Sequence, residues 1–284
     1  MKYIFFGSPR FAEIILEKLI NAGLPPIAVV CNPDRPIGRK QIITPPLTKL
    51  LAQKYDIPVF QPEVLSNLKF KIQNLKFDFF LVAAYAKIIP KEILEIPQLG
   101  SIGVHPSLLP KYRGSSPIQT AILNNEKETG VTLYLLDEKI DNGKIISNLK
   151  SQISNLDTYE TLSEKLAELS GNLLIKTIPD FINGKIKPQQ QDELQATFTK
   201  KFQTEDGFIE YENIKKAEDN GEKAVEIDCK IRALNPEPGI WTLQQVHGKQ
   251  KRVKLLKSKI IDGKLKITKI QKEGKNPQEM TESI

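Results

Sequence analysis

The stretch from Lys2 to Cys31 constrains the fold more than any other. Lys2-Tyr-Ile-Phe-Phe6 is a short apolar run, and after Gly7-Ser8-Pro9 an apolar stripe follows on Phe11, Ile14, Ile15, Leu16 and Leu19. The run reads as a buried strand, and the stripe has the three-to-four spacing of one helix face. Ser8 stands where it can cap that helix, with Pro9 in its first turn. Asn21-Ala-Gly23 stops the helix, and Pro26-Ile-Ala-Val-Val-Cys31 supplies a second buried strand. Strand, helix and strand in succession predict parallel pairing through a right-handed crossover, hence an α/β fold. The first turn holds the single Gly7, whereas dinucleotide sites need G-x-G-x-x-G for close approach to pyrophosphate. A nicotinamide or flavin cofactor is therefore disfavoured.

Beyond this unit, Asn32 to Gln41 is too rich in proline and glycine for regular structure, and it carries Arg35, Arg39 and Lys40. The loop follows the carboxyl end of a strand, where open α/β sheets bind ligands. Helices are expected over 44–55 and 62–75, with a short strand at 57–60 between them. The most hydrophobic run, Phe77 to Tyr85, reads as a central strand. Thr158 caps a long amphipathic helix from Tyr159 to about Gly184. Polar Ile186 to Asp192 then reads as the start of a linker. After about Thr204 short strands and turns are expected, at 225–233, 239–246, 252–259 and 264–271. The boundaries are thus a larger α/β domain over 1–186, a linker over 187–204 and a small β domain over 205–284.

With 284 residues, 40% of them apolar, the chain can bury two modest cores. No run approaches the roughly 18 apolar residues of a spanning helix, and the first run reads as a strand rather than a signal peptide. No membrane partner is expected. Cys31 and Cys229 lie far apart, which points to neither a disulfide framework nor a zinc site, and so to a reducing cytoplasm. A monomer is expected. The net charge is +7. It is concentrated late in the chain, where Lys249, Lys251, Arg252, Lys254, Lys257, Lys259, Lys264, Lys266, Lys269, Lys272 and Lys275 face only Asp262 and Glu273. Such a concentration favours a polyanionic partner by counterion release.

The chemistry is expected between Gly100 and Gly143. Ser101 to His105 reads as a strand that Pro106 ends, because proline brings no N–H to a ladder. An imidazole at a strand exit, ahead of a loop rich in proline and glycine, is a typical catalytic position. His247 is the other histidine and is read as exposed and structural. Asp141, in the turn Ile140-Asp-Asn-Gly143, is a candidate partner for His105, although Asp-Asn-Gly is also an ordinary turn. No G-x-S-x-G elbow and no set with metal spacing occurs, which argues against an acyl-enzyme hydrolase and a metal centre.

The run His105-Pro-Ser-Leu-Leu-Pro110, followed by Lys111-Tyr-Arg-Gly114, Pro117-Ile-Gln119, Glu128-Thr-Gly-Val-Thr132 and Asp141-Asn-Gly143, resembles the formyltetrahydrofolate-dependent formyltransferases. Pro33-Asp-Arg-Pro-Ile-Gly-Arg39, Val82-Ala-Ala-Tyr85 and Ile231-Arg-Ala-Leu-Asn-Pro-Glu-Pro-Gly239 are similar to the branch of that family acting on methionyl-tRNA. The resemblance covers nearly the whole chain. It implies a Rossmann-like domain with a mostly parallel sheet, then a small OB-like β-barrel. It implies 10-formyltetrahydrofolate as formyl donor, bound beside Ser107, Leu108, Leu109 and Pro110, and no metal. His105 and Asp141 would move protons as the methionine amine attacks the formyl carbon. Initiator methionyl-tRNA would be held by Arg39 and Lys40 and by the basic β domain, including Lys249, Lys251 and Arg252.

One position departs from the family pattern, which has Asn-x-His-Pro with the asparagine amide on the developing oxyanion. Here that position is Gly103. The loss of one such donor costs about 2.7–4 kcal/mol. Three explanations are open: a water in the space glycine leaves, a hydroxyl from Ser101 or Ser107, or binding retained without catalysis.

Overall fold

The structure, a computed structural model, describes residues 1–38, 40–246 and 248–280. By internal contacts the chain divides into two compact units. The first comprises Met1–Gly114, Thr129–Ser151 and Ser163–Phe198; the second comprises Ser115–Glu128, Gln152–Leu162 and the chain from Thr199 onward.

The first unit begins with β1 (Tyr3–Phe6), α1 (Arg10–Asn21) and β2 (Ala28–Val30). β1 and β2 pair in parallel, Ile4 opposite Ala28 and Phe6 opposite Val30, as the strand–helix–strand reading predicts. The cap of α1 differs from expectation. Pro9 holds the N-cap position and makes no side-chain hydrogen bond, while Ser8 Oγ accepts from Asn32 N at 3.0 Å. The serine therefore ties the first turn to the loop after β2 instead of capping the helix.

That loop also differs from expectation. β3 (Arg35–Ile37) and β4 (Ile42–Thr44) form a small antiparallel hairpin where irregular chain was expected. Gly38 at φ 72° and Gln41 at φ 49° make the reversal, and Pro36 is tolerated because a two-stranded ribbon leaves edge positions unpaired. Next come α2 (Leu47–Lys54), β5 (Val59–Phe60), a 3-10 turn (Leu65–Asn67) running into α3 (Leu68–Ile72), β6 (Phe79–Ala83), α4 (Lys91–Leu94) and β7 (Ser101–His105). α5 (Pro117–Leu123) belongs to the second unit, after which the chain returns as β8 (Glu128–Leu135) and β9 (Ile145–Gln152), followed by α6 (Tyr159–Ile182).

The sheet order is β5-β2-β1-β6-β7-β8-β9. The pairs from β5 to β7 are parallel, and β8 runs antiparallel to β7. One buried cluster joins Ile4, Phe6, Val30, Leu68, Ile72 and Phe80, with Phe6 edge-on to both Phe80 and Tyr85. Fully burying each such side chain contributes roughly 1.5–3 kcal/mol. The strands that carry the site to their carboxyl ends thus run through the driest part of the unit.

The second unit contains α7 (Tyr211–Asp219), α8 (Ala224–Leu234) and the antiparallel sheet β10 (Ile240–Val246), β11 (Lys249–Ile261), β12 (Lys264–Lys272), β13 (Gln278–Glu279). The expected small β structure is present, but 225–233 is helix α8 and not a strand. Its buried residues Ala224, Ile227, Ile231 and Leu234 recur every three to four positions. That spacing makes a helix stripe, not the alternation of a strand. Ile240, Val253, Leu255, Leu265, Ile267 and Ile270 form the buried face of the sheet.

Candidate active site

β7 ends at His105 because Pro106 follows, and the imidazole is 6% exposed. Its Nε2 lies 2.9 Å from the Tyr112 carbonyl oxygen. A carbonyl only accepts, so Nε2 carries the proton and Nδ1 is the open nitrogen. Nδ1 faces Asp141 Oδ2 at 3.5 Å. A proton taken up at Nδ1 thus meets a carboxylate, which stabilises the imidazolium. The structure brings together the two residues that the sequence suggests as partners.

Asp141 is held from several sides. Oδ2 accepts from Gly114 N at 2.7 Å, and Oδ1 accepts from the Tyr134 hydroxyl at 2.6 Å. Asp141 itself sits at φ 50°, a left-handed conformation that aspartate tolerates better than most residues. Gln191 Nε2 fastens the turn by donating to the carbonyls of Asp141 at 2.9 Å and Gly143 at 2.8 Å. Gly143 is obligatory there, since a Cβ would lie 1.6 Å from Leu135 O. Gln191 is in turn gripped by Arg113, whose Nε and Nη2 reach Gln191 Oε1 at 3.1 and 2.8 Å. The same guanidinium, 2% exposed, binds both carboxylate oxygens of Glu193. That hydrogen bonding holds the Glu193 carboxyl below its usual range.

The loop after β7 is built on Thr132 of β8. Thr132 Oγ1 donates to Ser107 O at 2.7 Å and accepts from Leu109 N at 3.1 Å. The Ser107 hydroxyl donates to Lys111 O at 2.6 Å, and Leu109 is buried, while Leu108 and Pro110 are half-buried. Gly130 leaves room for Leu108, because a Cβ there would stand 2.5 Å from Leu108 Cδ2.

Gly103 is not an empty place. Its strand partner is Tyr134, and a Cβ on Gly103 would lie 2.5 Å from Tyr134 Cε1 and 2.7 Å from Cζ. The proposed water is therefore displaced by a phenol ring. The serine donors are also spent, Ser107 as above and Ser101 Oγ on the Leu94 carbonyl at 3.0 Å. Burial first, and then Asp141, hold the Tyr134 hydroxyl well above its ordinary pKa, so it stays a donor.

Sequence reasoning missed Tyr134 and Gln191, and it quoted Arg113 and Thr132 within motifs without giving either a role. The Gly103–Tyr134 contact depends on strand register, and no local pattern encodes register. Of the basic residues, Lys40 is exposed in the β3–β4 turn, Lys249 and Lys251 are exposed on β11, and Arg252 lies 4.1 Å over the Trp241 ring. Arg39 and His247 lie outside the described residues. Among the described residues no cluster has the make-up of a metal site, and no helix is long and apolar enough to cross a membrane.

Residues 1–178 match the formyl transferase family, and residues 201–266 match the formyl transferase C-terminal domain. The methionyl-tRNA formyltransferase of Protochlamydia amoebophila is 39% identical over 92% of this chain and 80% of its own length. That of Staphylococcus aureus strain Newman is 42% identical over 85% of this chain and 75% of its own length. The N-formyltransferase from Helicobacter canadensis, solved with folinic acid and dTDP-3-aminofucose, is 25% identical with a TM-score of 0.63, covering 92% of this chain and 88% of that one. The methionyl-tRNA formyltransferase from Clostridium thermocellum shares the fold with a TM-score of 0.59 at 18% identity, over 96% of this chain and 98% of that one. The first match runs through β7, its loop and the Asp141 turn, and the chain belongs to the formyl transferase family.

Proposed function

We propose that this chain transfers the formyl group of 10-formyltetrahydrofolate to the amino group of initiator methionyl-tRNA, working as a monomer in the cytoplasm. The observation that carries this reading is identity of 39% and 42%, over most of the chain, to proteins named methionyl-tRNA formyltransferase.

The site suits the chemistry. As the methionine amine attacks the formyl carbon it must lose a proton, and the folate nitrogen that leaves must gain one. His105 takes the proton at Nδ1, Asp141 stabilises the charge, and the imidazole can then return it. Leu108 and Pro110 offer an apolar edge to a flat pterin beside this couple. The Ser107 hydroxyl is already bonded within the loop, so hydrogen bonds to the pterin fall to backbone groups. Lys40, Lys249, Lys251 and Arg252, with Arg39, would contact tRNA through phosphates and not bases.

A sugar-nucleotide acceptor, such as the one bound to the Helicobacter canadensis protein, leaves the lysines of β11 and β12 without a counterpart. The test mixes protein, charged initiator tRNA and 10-formyltetrahydrofolate. Formyl-methionyl-tRNA above a heat-killed control is expected, and its absence would sink the proposal. Salt-sensitive tRNA binding without turnover would instead mark a binding protein that has lost catalysis.

A further inference from the structure

We propose that Tyr134 is a positioning residue of this site, its hydroxyl holding the Asp141 carboxylate in the orientation in which Oδ2 faces His105 Nδ1. Residues 103 and 105 lie on the same face of β7, two positions apart. Tyr134 projects from β8 directly opposite Gly103, and its ring passes over the glycine to stand edge-on to the imidazole, centroids 6.5 Å apart at 87°. Any side chain at 103 would occupy that path. The missing side chain and the tyrosine are therefore two halves of one arrangement.

The hydrogen bonds give the arrangement its effect. A carboxylate with a donor on one oxygen can rotate about its terminal torsion. Asp141 has a donor on each, Gly114 N–H on Oδ2 and the Tyr134 hydroxyl on Oδ1. Rotation would break both, so Oδ2 stays toward Nδ1 while the imidazole gains and loses its proton. The hydroxyl reaches the reaction only through Asp141, and its removal should affect proton transfer more than the binding of either substrate. For the kinetic arm of its test, this inference rests on the formyl-transfer reading.

The experiment is Tyr134→Phe, which keeps the ring and deletes one oxygen, read in two ways. In steady-state formylation, kcat should fall about tenfold or more, the scale of one hydrogen bond to a charged group, with both KM values held. In the ligand-free 15N-labelled protein, the imidazole resonances of His105 should move; a His247→Asn variant tells them from those of the other histidine. Unchanged kcat, a loss carried by KM, or His105 resonances superimposable on the unsubstituted protein would overturn the proposal. If the unsubstituted protein forms no product, the functional reading fails, and the resonances alone decide the role of Tyr134.

Discussion

Gly103 and Tyr134 compete for one volume, and that decides what substitution at residue 103 will do. Restoring a longer side chain looks, from sequence, like a repair. With a ring 2.5 Å from the new Cβ, Gly103→Asn instead overpacks the pair, at a cost of typically 1–3 kcal/mol. A lower thermal midpoint and a slower formylation rate are expected; a rate gain without loss of stability would mean the ring does not occupy that place. Asp141→Asn keeps the shape of the turn but removes the charge beside Nδ1. The turnover of that variant should drop by about 10²-fold or more, with folate affinity measured by fluorescence quenching preserved. These two outcomes separate the couple that moves a proton from the strand pair that frames it.

At the scale of elements, β8 supports both sides of the site, with Tyr134 under Asp141 and Thr132 under the loop after β7. Thr132→Val leaves Leu109 N–H and Ser107 C=O without their partner, a desolvation penalty of about 1–3 kcal/mol each. A raised KM for folate with less change in kcat is the expected result. At the end of β2, burial pushes the Cys31 thiol up to about 11. An unfolded thiol ionises near 8.5, so the unfolded chain loses this proton first as pH rises. Stability from this site is present below about pH 8.5 and lost as pH rises toward 11. Urea titrations at pH 8 and 10 should show the difference, and Cys31→Ala should shrink it. Much at this scale was legible in the sequence. The first strand–helix–strand unit, the exit of β7 at Pro106 and the Thr158 cap of α6 follow from local patterns. What the sequence hid was cross-chain: the register that sets Tyr134 against Gly103, and Gln191 reaching back to Asp141 from 50 residues away. The mistaken strand at 225–233 has a similar cause, since α8 is defined by what it buries and not by residue preference.

Over the whole molecule, charge placement is the most consequential pattern. On the antiparallel sheet Lys257 stands opposite Lys269, and Lys259 opposite Lys266. Like charges across a ladder are unfavourable unless something anionic lies over them. Glu279 already does this for Lys269, at 3.0 Å, and among the described residues the other three lysines have no such ion pair. Affinity for tRNA should therefore fall linearly with salt on a log–log plot, by about 0.7–0.9 per phosphate neutralised. Lys257→Ala with Lys259→Ala should flatten that slope, as filter binding across a salt series would show; an unchanged slope would place the contact elsewhere. The grip of Arg113 on Gln191 and Glu193 bears on where this protein can be divided. A fragment cut after residue 186 keeps β7, its loop and the Asp141 turn, yet loses the Gln191 amide that fastens that turn and the acceptors that orient the Arg113 guanidinium. One that continues to residue 198 retains the Arg113–Phe198 bridge as well. The first compact unit runs to Phe198, a dozen residues past the fall in hydrophobicity, and a fragment ending there should unfold at a higher urea concentration than one ending at residue 186.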